Sequence, residues 1–101
     1  MAQLIALYNA PADPAAFQRY YHQTHTPLAK TIPGLRSLVI SDGPVNALAG
    51  DAPYLLAVLT FDSMADLQAA MESPEGKATA ADLQNFASGG VTLLVYESKT
   101  A

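Results

Sequence analysis

The sequence predicts an α+β fold in which helices cover one face of a four-stranded antiparallel sheet. Three observations predict it. The chain has 101 residues, which suits one domain spanning residues 1–101. Apolar segments and helix signals follow in the order strand, helix, strand, strand, helix pair, strand. Several of these strands are apolar on both faces, so helices on one side leave the other side to be covered.

The first strand and helix occupy the N-terminal third of the chain. An apolar run at residues 3–9 is strand one. Asp13 starts the helix because its side chain accepts from free backbone N–H groups, and Pro14 suits the first helical position. Pro27 is expected to end or kink this helix, with Thr26 capping one further turn. The helix places three side chains on one face: Phe17, Tyr21 and His25.

The rest of the chain supplies three strands and a helix pair. The strands are predicted at residues 35–41, 54–61 and 91–97, bounded by proline, glycine or polar turn residues. Ser63 and Ser73 mark the two helix starts, and a glycine pair ends the second helix. This order is the split βαβ arrangement of ferredoxin-like folds, with strands one and three at the centre of the sheet.

A second copy of the chain is the expected cover for the open face of the sheet. Leu55 and Leu59 point to one face of strand three, while Leu56 and Val58 point to the other. Only 14% of the residues are charged, against about 25% in a typical chain. Because an apolar sheet face in water is costly, we predict a homodimer that packs open face on open face.

Composition excludes several classes of function. The net charge of −4 and the pI near 4.7 argue against a nucleic-acid partner, which requires a basic face. The absence of cysteine removes thiol nucleophiles and cysteine-based zinc sites. No apolar run has the length of a membrane span and no signal peptide is evident, so we expect a cytoplasmic protein without a membrane partner. Glycine-rich phosphate loops and the GxSxG motif are also absent.

One part of the sequence resembles a known family. The main stretch is residues 17–41, and weaker similarity continues at residues 61–63 and 73–76 and at Asp82 before Phe86. Its characteristic residues are an aromatic pair, a histidine before Pro-Leu-Ala and a Pro-Gly-Leu-Arg run: Tyr20, Tyr21, His25, Pro27, Leu28, Ala29, Pro33, Gly34, Leu35 and Arg36. These features resemble the EthD family. The resemblance implies a ferredoxin-like protomer whose sheet pairs with that of a second copy in a dimeric α/β barrel.

The resemblance also implies a role in organic small-molecule metabolism. The family takes its name from a protein needed for bacterial breakdown of ethyl tert-butyl ether, and fungal relatives act as decarboxylases or dehydratases on aromatic polyketides. Related barrels include cofactor-free monooxygenases, muconolactone isomerases and haem-degrading enzymes. Fold alone does not choose among these reactions.

His25 is the leading candidate for a catalytic residue. Imidazole takes up and releases protons near neutral pH, and the resemblance supports this position. The alternative is a histidine that hydrogen-bonds backbone groups freed by Pro27. Tyr21 either holds a substrate oxygen in the site or packs in the core. His22 and His25 would need a third ligand to bind a metal, and the sequence does not indicate one, so no metal site is predicted. No cofactor is predicted either. A barrel that binds haem or a metal through His25 or His22 is the minor alternative.

Further candidates would contact the substrate. Tyr8, Tyr54 and Tyr96 lie on predicted strands, where each either projects into the barrel cavity or packs across strands. Arg36 follows a Pro-Gly turn and either binds a substrate carboxylate or pairs with an acid across the dimer. Asp82 either orients a histidine or is a surface charge, and its alanine-rich helix favours the surface charge.

Two functional hypotheses follow. In the first, the protein is a cofactor-independent enzyme in which His25 moves a proton on an aromatic or cyclic ketone or acid, in a decarboxylation, dehydration, isomerisation or oxygenation. In the second, the barrel is not catalytic and binds a small apolar or aromatic ligand, or supports an oxygenase pathway as an accessory protein. Replacing His25 discriminates between them, because only the enzyme would lose turnover with its fold intact.

Overall fold

The computed structural model describes residues 1–101 and contains one antiparallel sheet of four strands. The strands are β1 (Ala2–Tyr8), β2 (Ser37–Ile40), β3 (Leu55–Phe61) and β4 (Val91–Glu97). Their order across the sheet is β2-β3-β1-β4, and all neighbouring strands are antiparallel. The predicted ferredoxin-like α+β fold, with the first and third strands at the centre, is therefore confirmed.

Two helical segments pack on one face of the sheet. The first is continuous and consists of α1 (Pro14–Tyr20), a π-helical turn (Tyr21–His25) and α2 (Thr26–Ala29). The second contains α3 (Met64–Glu72), α4 (Pro74–Asp82) and a 3₁₀ turn (Leu83–Asn85). The helices are all too short or too polar for a membrane crossing.

The predicted helix starts are confirmed by side-chain caps. The carboxylate of Asp13 accepts a hydrogen bond from the backbone N–H of Ala16. The hydroxyl of Ser63 caps α3, and the hydroxyl of Ser73 accepts from the backbone N–H of Gly76 at the start of α4. Each cap satisfies a backbone N–H that has no partner inside its helix.

The π-helical turn accommodates Pro27 within the helix. The backbone N–H of Thr26 donates to the carbonyl of Tyr21, five residues earlier. This wider turn lets the chain continue into α2 although Pro27 has no N–H to donate. The predicted cap by Thr26 is wrong, because its hydroxyl is buried without a hydrogen-bond partner. The π turn instead buries two candidate site residues, Tyr21 and His25.

The two faces of the sheet differ in cover. Along β1 and β3, every second residue is buried against the helices and the residues between are half-buried. On the open face the side chains of Val39, Leu94 and Tyr96 are 60%, 49% and 39% exposed. The prediction that apolar residues occupy the face without helices is therefore confirmed.

Candidate active site

A small apolar cavity lies between the sheet and the helices. Its volume is about 60 Å³, and hydrophobic residues make up 13 of the 16 that line it. The floor comes from the helix side of the sheet, and Met71 and Leu93 contribute to the wall. The residues of the lining with polar side-chain atoms are Thr79, His25 and two tyrosines. A ligand in the cavity would therefore contact mainly apolar side chains and only a few polar groups.

His25 and Asp82 form a buried pair at this cavity. The side chains are almost inaccessible, with His25 5% and Asp82 8% exposed. The Nδ1 atom of His25 lies 2.9 Å from Oδ2 of Asp82. The π turn supplies the histidine and the last residue of α4 supplies the aspartate, so the pair joins the two helical segments. The ring of Phe86 packs against His25 at a centroid distance of 4.5 Å.

Asp82 is held by two further donors. The hydroxyl of Tyr20 donates to Oδ1 over 2.5 Å, and the side-chain amide of Asn85 donates to the same oxygen over 3.0 Å. Burial acts to raise the pKa of Asp82, but the hydrogen bonds from Tyr20, Asn85 and His25 together hold this pKa below its ordinary value. The carboxylate is therefore ionised at neutral pH and acts only as an acceptor.

The protonation state of His25 follows from that carboxylate. Burial lowers the pKa of His25, and this outweighs the opposing effect of the hydrogen bond to Asp82. At neutral pH the imidazole is neutral. Because the ionised Asp82 only accepts, the single ring proton lies on Nδ1. The Nε2 atom then carries the free lone pair, which is the form that a general base requires.

The structure brings three of the predicted site residues together. Tyr8, Tyr21 and His25 all line the cavity. The rings of Tyr8 and Tyr21 meet edge to face at 5.6 Å. Burial raises the pKa of both phenols, that of Tyr21 to about 12. Both tyrosines therefore stay protonated, and each keeps a hydroxyl donor.

The other predicted contact residues lie away from this cavity. The half-buried Tyr54 accepts a hydrogen bond from the side-chain amide of Gln18 over 2.9 Å, and Tyr96 is on the open face of the sheet. Arg36 is exposed and forms a two-pronged ion pair with Asp62 of the same chain, which holds the pKa of Asp62 below its ordinary value. In the single chain Arg36 thus pairs with Asp62.

A larger groove of about 610 Å³ lies near the connection between β2 and β3. Its residues include His22, Asp42 and Tyr54. The exposed His22 contacts the amide oxygen of Gln18 over 3.1 Å, and it is not part of the His25 pair. No three His, Cys, Asp or Glu side chains lie together in a way that could hold a metal ion. The smaller cavity is the better candidate site because it alone contacts the buried imidazole.

Asp82 is the residue that sequence reasoning misjudged. It was expected as a surface charge on an alanine-rich helix, whereas it is buried and bonded to three side chains. The spacing between Asp82 and neighbouring residues in the sequence indicates that Asp82 is buried. Thr79, Leu83 and Phe86 lie three residues before, one after and four after it, which places Asp82 on the inner stripe of its helix.

The fold and the site define a small α+β protein with a buried histidine–aspartate pair at an apolar cavity. The EthD domain model matches residues 9–90, and the chain therefore belongs to the EthD domain family, as the resemblance predicted. An uncharacterized 11.0 kDa protein in the thcB-thcC intergenic region of Rhodococcus erythropolis is 44% identical over 102 residues, which cover 99% of this chain and 97% of that protein. An EthD family protein from Bacillus halodurans C-125 is 37% identical in its crystal structure, with a TM-score of 0.88 over 98% of this chain and 99% of that chain.

Two more distant crystal structures share the fold alone. A dimeric ferredoxin-like protein from Thermobifida fusca YX is 17% identical, with a TM-score of 0.68 over 94% of this chain and 88% of that one. SnoaB from Streptomyces nogalater, a cofactor-independent oxygenase, is 11% identical, with a TM-score of 0.68 over 99% of this chain and 94% of that one.

Proposed function

We propose that this protein is a cofactor-independent enzyme of small-molecule metabolism, in which His25 transfers a proton on an aromatic or cyclic ketone or acid. The observation that carries the proposal is the buried His25–Asp82 pair, with its Nδ1–Oδ2 distance of 2.9 Å, at the wall of an apolar cavity. A buried neutral imidazole backed by a carboxylate is the arrangement of a general base. The cofactor-independent oxygenase of the same fold supports the absence of a cofactor from this chemistry.

The steps follow from the protonation states. The Nε2 atom of His25 removes a proton from a carbon next to the substrate carbonyl, and the electron pair of the broken C–H bond moves onto the carbonyl oxygen. Asp82 stabilises the imidazolium that forms. The phenols of Tyr8 and Tyr21 donate to the oxygen on which negative charge develops. The imidazolium then gives a proton to a carbon of the enolate, the electron pair on the oxygen moves back to re-form the carbonyl, and the enzyme ends the cycle unchanged.

The cavity must enlarge to take such a substrate. Its 60 Å³ is well below the cavity of about 150 Å³ that binds benzene in a protein core. Two wall residues can move at low cost. Met71 is half-buried and has a flexible side chain, and Leu93 on the edge strand is 46% exposed. Substrate entry between these side chains leaves the His25–Asp82 pair in place.

The dimer is the second part of the proposal. Two copies pack through the open face of the sheet, which presents Val39, Leu94 and Tyr96 to solvent in the single chain. The dimeric ferredoxin-like protein from Thermobifida fusca supports this arrangement. Packing face on face removes these side chains from water and creates a twofold interface in which the same residues occur on both sides.

The test compares two histidine variants on a panel of aromatic and cyclic ketones and carboxylic acids. His25→Gln removes the base, and His22→Gln is the matched control because His22 lies outside the cavity. Products are detected by mass spectrometry, and circular dichroism checks the fold. We expect turnover by the wild type, a loss of about 100-fold or more in His25→Gln, and less than about a twofold change in His22→Gln.

Two results would contradict the proposal. Equal turnover by wild type and a folded His25→Gln would remove His25 from the chemistry. Binding of panel compounds by the wild type without any turnover would establish a ligand-binding protein instead.

A further inference from the structure

We infer that Tyr20, assisted by Asn85, is a positioning residue that sets the basicity of His25 through Asp82 from outside the cavity. The inference deepens the proposed function and rests on it for its catalytic meaning. Neither Tyr20 nor Asn85 lines the cavity. Both line a separate surface groove of about 280 Å³ on the other side of Asp82.

The two oxygens of the Asp82 carboxylate have different hydrogen-bond partners. Its Oδ2 atom faces His25, while its Oδ1 atom accepts from Tyr20 over 2.5 Å and from Asn85 over 3.0 Å. Two donors on one oxygen fix the rotation of the carboxylate. The other oxygen is therefore held at Nδ1 of His25, which keeps the ring proton on Nδ1 and the lone pair on Nε2.

The outer donors also determine how strongly Asp82 stabilises a charged imidazole. Each hydrogen bond to the carboxylate disperses part of its negative charge and makes it a weaker base. Asp82 then favours the imidazolium form of His25 less than a free carboxylate would. Removing the hydroxyl of Tyr20 should therefore raise the pKa of His25.

No other titratable group near His25 competes for this effect. Of the residues that line the cavity with His25, only Tyr8 on β1 and Tyr21 in the π turn are ionisable, and Asp82 is the one charged group that acts on the pKa of His25. Burial raises the pKa of both phenols, so neither changes its charge in the range where His25 titrates. A change in the titration of His25 on loss of the Tyr20 hydroxyl is thus transmitted by Asp82.

The experiment is an NMR titration of protein labelled with ¹⁵N in its two histidines. Tyr20→Phe removes the hydroxyl and keeps the ring, which stacks on Phe86 at a centroid distance of 5.4 Å. Asn85→Ala removes the second donor. Tyr54→Phe is the matched control, because its hydroxyl also bonds a side chain but belongs to the Gln18 network. His22 serves as the internal reference in the wild type, Tyr20→Phe and Asn85→Ala, but not in Tyr54→Phe, because His22 contacts Gln18.

We expect the pKa of His25 to rise by about 0.5 to 1 unit in Tyr20→Phe and by a smaller amount in Asn85→Ala. In Tyr54→Phe it should move by less than about 0.2 unit. The inference is overturned if Tyr20→Phe shifts the pKa of His25 no more than Tyr54→Phe does. The titration needs no substrate, so its outcome is independent of the proposed function. With a substrate in hand, the pH profile of kcat/KM of Tyr20→Phe should move upward by the same amount.

Discussion

Replacing Asp82 by asparagine removes the negative charge beside His25 and keeps the size of the side chain. The carboxylate accepts three side-chain hydrogen bonds, from Tyr20, Asn85 and His25. The two outer donors compete for the single oxygen of the new amide and hold it on their side. The amide nitrogen of residue 82 then faces His25 and donates to Nδ1. The imidazole must carry its proton on Nε2, which removes the lone pair that the proposed base uses.

The cost in stability follows from the same contacts. Hydrogen bonds to a charged group contribute about 1.5–3 kcal/mol and neutral ones about 1 kcal/mol. His25 is neutral in the folded protein at pH 7, so no unpaired charge is left behind and the larger penalty of a broken buried ion pair does not apply. Burial disfavours the charged carboxylate of Asp82, so replacing it by a neutral amide removes this cost and offsets part of the loss. We therefore expect Asp82→Asn to lower the free energy of unfolding by about 1–2 kcal/mol.

Urea unfolding and the ¹⁵N spectrum of His25 measure the two effects of Asp82→Asn. Asp51→Asn is the matched control, since Asp51 is exposed in the connection between β2 and β3. In the folded Asp82→Asn variant we expect the neutral ring of His25 to carry its proton on Nε2, and turnover to fall by about three orders of magnitude or more. A variant that keeps the wild-type tautomer and stability would refute the role assigned to Asp82.

Three further predictions concern stability and assembly. Burial lowers the pKa of His25 below its ordinary 6.5, so just below pH 6.5 the unfolded chain binds more protons than the folded protein. The free energy of unfolding should therefore fall as the pH drops through that range. If the free energy of unfolding of the wild type followed the same pH dependence as that of His25→Gln, the prediction would be wrong. Val39→Glu places a charge on the open face and should convert the proposed dimer into a monomer in sedimentation analysis, whereas Leu48→Glu in an exposed loop should leave it a dimer. A wild-type protein that sediments as a monomer would contradict the proposed dimer. An added Cβ at Gly76 would collide with the backbone oxygen of Ala70 in α3, so Gly76→Ala should lower the free energy of unfolding in urea by about 2 kcal/mol or more. At Gly43 only the positive φ angle opposes a side chain, so Gly43→Ala should lower it by less, and an equal loss in both variants would contradict this.

The fold was predictable because local patterns agree with the tertiary structure. In β1 and β3 buried residues alternate with half-buried ones, and the sequence predicts this cover because apolar residues occupy both faces of each strand. The caps at Asp13, Ser63 and Ser73 follow from residue types at fixed spacing. These signals depend only on neighbours in the chain, and a single sequence contains them all.

The site was predictable only in part, because its geometry depends on long-range contacts. His25 was identified from its residue type and motif, whereas the bond to Asp82 joins residues 57 positions apart. The ion pair of Arg36 is a second long-range contact, since Asp62 lies on the segment after β3 and no local pattern pairs the two residues. The π turn escaped prediction too, because a hydrogen bond shifted by one residue leaves the apolar spacing almost unchanged.

The most direct test of the account follows the proton that His25 is proposed to move. Cyclic and aryl ketones are incubated with the protein in D₂O, and NMR records the exchange of the hydrogens next to the carbonyl. The account predicts that the wild type and His22→Gln accelerate this exchange equally and that His25→Gln loses about 100-fold or more of the acceleration. Exchange by His25→Gln at the wild-type rate would contradict it.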